Sequence, residues 1–131
     1  MLTGDKRETA INIAQSSALV NSKTPVMILE GDSDESVMNK LVSIKAKGQR
    51  YTESKTKFAL LIDGSALNHA IGSNSRPLFT DLIMNCYSVV CCRCTPMQKA
   101  EIVRIVKRST KSTVLAIGDG ANDVAMIQVP S

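Results

Sequence analysis

A chain of 131 residues with 44% hydrophobic side chains suffices for one compact unit and is too short for two, and with 3% aromatic residues and no Trp its core must come from Ile, Val, Leu, Ala and Met. The net charge of +4 invites an anionic partner, but almost no aromatic residue is interleaved with the basic ones to stack on bases, so nucleic acid is not expected among the partners. No apolar run approaches the roughly 18 residues that cross a bilayer, and no basic start followed by an apolar block marks a signal peptide, so a soluble unit that starts in the cytosol is expected.

Leu2-Thr3 reads as the stub of a strand, closed by Gly4-Asp5 as a turn, after which residues 8–20 predict a helix with Ile11, Ala14 and Ala18 on one face. A short strand is predicted over 25–29, and a helix over 33–46 carries Val37, Leu41 and Ile44 at helical spacing. Residues 45–57 mix Lys and Arg with Gly48, Gln49, Thr52, Ser54 and Thr56, which reads as a flexible, solvated loop. The run 58–62, bounded by Asp63-Gly64, reads as a strand buried on both faces, with a short helix over 65–71. Pro77 opens a further helix with Leu78, Leu82, Ile83 and Cys86 as its apolar face, and a second buried strand follows over 88–92. Thr95-Pro96-Met97-Gln98 is a strong helix start, Thr95 as N-cap, Pro96 at the first helical position and Gln98 closing a capping box, with the helix running to about Lys107. A last strand is predicted over 113–117, then the turn Gly118-Asp119-Gly120 and a helix opened by Asn122. Strands alternating with helices predict a parallel sheet covered on both faces, with polar chemistry gathered at the carboxyl ends of the strands.

Cys86, Cys91, Cys92 and Cys94 raise the question of zinc, since Cys91 and Cys94 form a C-x-x-C. In a strand running to Arg93 those two side chains point to opposite faces, the single His69 is far away and no second C-x-x-C exists, so the four read as core thiols.

Asp119, Asn122 and Asp123 fall within five positions after an apolar run, and two carboxylates with a carboxamide crowded by a glycine turn suit a hard cation such as magnesium. An acidic turn that merely caps a helix fits the spacing equally well. Lys99, on the first turn of a helix that follows a strand, can meet a phosphate, although by composition alone such a lysine is more often a solvated side chain, and Thr3 with Gly4 offers a hydroxyl and a backbone N–H. Together these are parts of an electrostatic clamp for phosphoryl transfer without a nucleophile. Asp32 and Asp34 imitate a phosphatase nucleophile motif, but Glu30 and Gly31 separate the first from its strand and the motif follows Thr3-Gly4-Asp5 where it should precede it, so they read as loop carboxylates and N-caps.

Four stretches, Thr3-Gly4-Asp5 continuing through Glu8-Thr9-Ala10-Ile11-Asn12-Ile13, Ile62-Asp63-Gly64, Cys91-Cys92-Arg93-Cys94-Thr95-Pro96-Met97-Gln98-Lys99 and Gly118-Asp119-Gly120-Ala121-Asn122-Asp123 ending in Met126-Ile127-Gln128, resemble the phosphorylation-domain motifs of P-type ATPases, in family order. Glu8 to Ile13, Cys91 to Lys99 and Met126 to Gln128 are similar to the phospholipid-transporting branch, the flippases. The resemblance implies an α/β fold, a three-layer Rossmann-like parallel sheet of the haloacid-dehalogenase type, and an aspartyl-phosphate formed from ATP on an Asp-Lys-Thr-Gly-Thr motif. It further implies that Thr3 binds the phosphoryl group, Lys99 neutralises its charge, Asp119 holds magnesium, Asp123 supports the metal and phosphate site, Asn122 the phosphate, and Gly4, Asp5 and Arg93 line the nucleotide site.

No Asp-Lys-Thr-Gly occurs in the sequence. Residues 1–131 are therefore expected to be a partial phosphorylation domain without the central nucleophile-bearing strand, inactive alone. ATP, a phospholipid and a possible accessory subunit would be partners of a larger membrane-embedded pump. The alternatives are a free-standing phosphatase using Asp32 and a non-catalytic anion-binding module.

Overall fold

A computed structural model describes residues 1–116, 118 and 120–129. Three parallel strands, β1 (Val26–Leu29), β2 (Ala59–Asp63) and β3 (Ser88–Cys92), lie in the order β1-β2-β3, in register from Val26 with Ala59 and from Ala59 with Ser88. Leu2 extends the sheet past β3 by a parallel bridge to Cys91, with the Thr3 N–H on the Cys91 carbonyl at 2.9 Å. β2 is buried along its whole length, as its uninterrupted apolar run predicts.

The sheet alternates its faces. Ala59, Leu61, Val90 and Cys92 meet Ala10 and Ala14 of helix α1 (Arg7–Ser16) on one side. On the other, Leu60, Ile62 and Cys91 pack with Val37 and Leu41 of α2 (Asp34–Glu53), Leu67 of α3 (Gly64–Ala70), Phe79 of α4 (Arg76–Asn85) and Ile102 of α5 (Pro96–Ser109). The result is a Rossmann-like α/β domain, a parallel sheet between helices. A short 3-10 turn, Ala121–Asp123, leads into α6 (Val124–Ile127), which packs through Met126 on Ala100 and Val103 of α5.

Four expectations are corrected. Helix α1 stops at Ser16, because Ala18 adopts a left-handed φ of 60° and the Leu19 and Val20 N–H groups turn back to the Ala14 carbonyl, which seats Val20 on the α1 face. Basic residues expected in a loop continue α2 to Glu53. Gly48 lets that helix lie against Phe58, whose ring carbon stands 3.0 Å from where a Cβ would be, and Tyr51 packs on the same ring at 5.7 Å between centroids. Residues 113–116 form no strand and leave Leu115 79% exposed, and Ile117 lies outside the described residues. Finally, β3 ends at Cys92, and Arg93 takes a left-handed φ of 51°, which returns Cys94 to the core cluster of Cys91 instead of the opposite face. Cys91, Cys92 and Cys94 are buried free thiols and Cys86 is half-buried.

Candidate functional site

The start of α5 forms as its sequence dictates. Thr95 accepts the Gln98 N–H at 3.2 Å, Gln98 Oε1 accepts the Thr95 N–H at 3.0 Å, and Pro96 occupies the first turn, where it leaves no hydrogen bond unmade. The amide nitrogen of Gln98 then donates to the Gly64 carbonyl and to Asn68 Oδ1, both at 2.7 Å, tying α5 to α3. Gly64 has to be glycine, since an added Cβ would stand 2.2 Å from the Arg93 carbonyl oxygen. Neither Asn68 nor this tie is marked by any sequence motif, although Asp63-Gly64 after an apolar run signals a helix cap.

One turn into α5, Lys99 points inward. Its Nζ lies 2.7 Å from Asp123 Oδ1, with the two side chains 4% and 11% exposed, so a formal ion pair sits in the interior where α5 meets the 3-10 turn. Asp123 is fixed by its N–H on the Gly120 carbonyl at 3.0 Å, and the backbone of Gly118 crosses so close that a Cβ there would be 2.3 Å from Asp123 Cβ. Asn122, also expected at this site, is exposed, and its amide oxygen lies near Gly120. Asp119 lies outside the described residues.

Thr3, Gly4 and Asp5 join the same rim through the backbone. Cys94 N–H donates to the Thr3 carbonyl at 2.9 Å and Arg93 N–H to the Asp5 carbonyl at 2.8 Å, while Thr3 Oγ1 accepts the Asp5 N–H at 3.1 Å. Gly4 lies in ordinary contact with the Cys94 carbonyl. The Arg93 guanidinium, 58% exposed, binds the buried Asp63 carboxylate, which also caps α3 by accepting the Ser65 N–H and hydroxyl. Burial works against the charge on Asp63, and the Ser65 and Arg93 hydrogen bonds outweigh it, holding the carboxyl below its ordinary range.

Two groupings result. Thr3, Gly4, Asp5, Asp63 and Arg93 surround the ends of β2 and β3, and Lys99 with Asp123 forms a buried pair beside α6. Among the described residues, no three His, Cys, Asp or Glu side chains are placed to hold a metal, and the one carboxylate described in the acidic turn is engaged by Lys99. The described residues therefore do not by themselves fit a magnesium cage, and no chemical step can be assigned through one. At the far edge of the sheet, Asp32 is exposed and Ser33, not an aspartate, caps α2, while Asp34 receives His69 Nδ1 at 2.6 Å. Nothing there resembles a nucleophile at a strand end.

No protein-family model matches the chain. Several phospholipid-transporting ATPases match 98% of it. Phospholipid-transporting ATPase tat-1 of Caenorhabditis elegans is 51% identical over 128 residues, a phospholipid-transporting ATPase of Schizosaccharomyces pombe 45% over 132, and Phospholipid-transporting ATPase 10 of Arabidopsis thaliana 43% over 147. The chain spans only 11%, 10% and 12% of those relatives' lengths.

Proposed function

We propose that this chain, homologous to about a tenth of phospholipid-transporting ATPases, serves as the carboxyl-terminal part of a phosphorylation domain in a pump of that kind. The observation that carries the reading is a match of 51% identity along 98% of the chain, which no motif of a few residues could produce. In the larger protein, ATP phosphorylates an aspartate supplied by another segment, and hydrolysis of that aspartyl-phosphate drives movement of phospholipid between leaflets. Splitting transfer and hydrolysis through a carboxylate nucleophile replaces one hard step by two easier ones.

The residue roles follow from position and charge. Thr3, at the end of the strand stub, offers its hydroxyl to a phosphoryl oxygen. Lys99 supplies the cation that offsets the phosphoryl charge, and Asp123 holds that lysine in place until the anion arrives. Asn122 serves the phosphate, and Gly4, Asp5 and Arg93 border the nucleotide. Magnesium would accompany ATP and neutralise phosphate charge, with Asp119 as its ligand and Asp123 in support. Among the described residues no helix is long and apolar enough to cross a membrane, so lipid passage belongs to other parts of such a pump.

A haloacid-dehalogenase-type sheet also places the nucleophile strand between the stub at Leu2 and the segment 113–117. In support, Leu2 carries a single bridge, and residues 113–116 remain outside any strand with Leu115 in solvent.

The test uses a chimera in which this segment replaces its counterpart in the Caenorhabditis elegans relative. After exposure to γ-labelled ATP and acid quench, the chimera should carry a label released by hydroxylamine, and the isolated chain none. A correctly targeted chimera that stays unlabelled contradicts the reading.

A further inference from the structure

We propose that Cys91 and Cys94 form an oxidisable dithiol, a modification site at which hydrogen peroxide closes a disulfide across Arg93. The inference rests on the geometry at the end of β3 and does not depend on the function proposed above.

In a regular strand Cys94 would share a face with Cys92 and be separated from Cys91 by the sheet. The left-handed φ of 51° at Arg93 breaks that alternation, and Cys94 lies with Cys91 in the cluster formed by α2 to α5, while Cys92 packs on the α1 side. Both sulfurs belong to that one cluster, on the same side of the sheet, with Cys94 Sγ donating to the Cys92 carbonyl at 3.7 Å. They are unequal in access, since Cys91 is 0% and Cys94 7% exposed, and Cys94 sits where its backbone meets Thr3 at the rim. Their acidities differ in the same sense. The neighbouring Cys91 thiol holds the Cys94 thiol below its ordinary value against the effect of burial, helped by the charge of Lys99, whereas the Cys94 thiol and complete burial hold Cys91 well above. This division, a buried thiol at the rim whose acidity is raised and a fully buried partner in the same cluster, is the arrangement of an attacking thiol with a resolving thiol.

The chemistry balances. The Cys94 thiolate attacks one oxygen of peroxide, the O–O bond breaks, and hydroxide leaves to become water on taking a proton. The Cys91 sulfur then attacks the Cys94 sulfenic sulfur. The S–O bond breaks and the hydroxyl departs with the Cys91 proton as a second water. Peroxide gains two electrons and the two thiols lose two. The ring so formed encloses Arg93, whose N–H holds Asp5 and whose guanidinium holds Asp63, so oxidation acts directly on the segment that joins the rim together.

The test is peroxide treatment of the chain, alkylation of remaining thiols and digestion with trypsin under non-reducing conditions. Trypsin cuts after Arg93, so a bridge leaves the peptide ending at Arg93 joined to the one running from Cys94 to Lys99, until dithiothreitol parts them. The oxidised chain should lose the mass of two hydrogens and two alkylation sites. Cys86→Ser and Cys92→Ser should keep the linkage. Cys91→Ser should lose it and leave a Cys94 sulfenic acid captured by dimedone. Fragment ions of the wild-type linked pair place the bridge on Cys91 or Cys92 even if a variant fails to fold. Linkage that persists in Cys91→Ser, fragment ions that place it on Cys92 or Cys86, bridges only between molecules, or thiols that remain free throughout would each overturn the proposal.

Discussion

Lys99 and Asp123, twenty-four positions apart, meet through a bond of 2.7 Å from Nζ to Oδ1 in the interior between α5 and the 3-10 turn. Breaking a buried pair by removing one member costs about 3–5 kcal/mol, whereas replacing both by apolar groups of similar size costs far less. Lys99→Met and Asp123→Leu should therefore each lower the urea midpoint sharply, and the double variant should recover most of the loss. Additive losses in the double variant would show that the two residues stabilise the fold independently.

Acid should loosen the rim through Asp63. Its folded pKa lies below the ordinary value of 3.8, so its stabilising contribution is fully present above that value and is lost as pH falls through the depressed one. Glu101 behaves in the same sense: burial opposes its charge and the Arg104 and Arg76 contacts outweigh it. Asp63→Asn should be less stable than the parent at neutral pH, and the gap should narrow below pH 3.8. Thermal melts across that range check this, and a constant gap would contradict it.

The last turns of α2 depend on Phe58. Phe58→Leu keeps an apolar side chain but loses the ring contact with Tyr51 and the surface facing Gly48, at a cost of about 1 kcal/mol. In limited digestion with trypsin, Arg50 should be cut slowly in the parent and several times faster in the variant, while Lys55, beyond the helix, is cut in both. Equal rates at Arg50 would show that the helix end stands without the ring.

If a strand belongs between Leu2 and residues 113–117, a peptide of buried-type strand followed by Asp-Lys-Thr-Gly-Thr should gain main-chain hydrogen bonds and apolar burial together. It should raise the melting temperature and suppress self-association, and a scrambled peptide should not. No difference between the two peptides would remove the support for that placement.

Elements whose apolar side chains meet a partner within the chain were legible from sequence. β2 reads from its unbroken apolar run and α5 from Thr95, Pro96 and Gln98, because local chemistry and tertiary packing agree there. The end of α2 was not legible, because it packs on Phe58, the residue just before β2. Residues 113–117 carry a strand's pattern, yet a ladder requires a neighbour as well as a pattern, and among the described residues 113–116 pair with none. The side of the sheet on which Cys94 lies turned on one backbone angle at Arg93 that composition does not encode. For the candidate site, Lys99 and Asp123 could each be singled out, but their direct contact could not, since it depends on how the turn at Gly120 folds back onto α5.

The most direct measurement of the central claim is phospholipid-stimulated ATP hydrolysis by the Caenorhabditis elegans relative carrying this segment in place of its own, compared with the same chimera bearing Lys99→Ala. The account expects lipid-stimulated hydrolysis in the chimera and a loss of about a hundredfold or more with Lys99→Ala, the scale on which removing a preorganised charge from a transition state acts. A chimera that reaches its membrane and hydrolyses ATP equally well with and without Lys99 would contradict it.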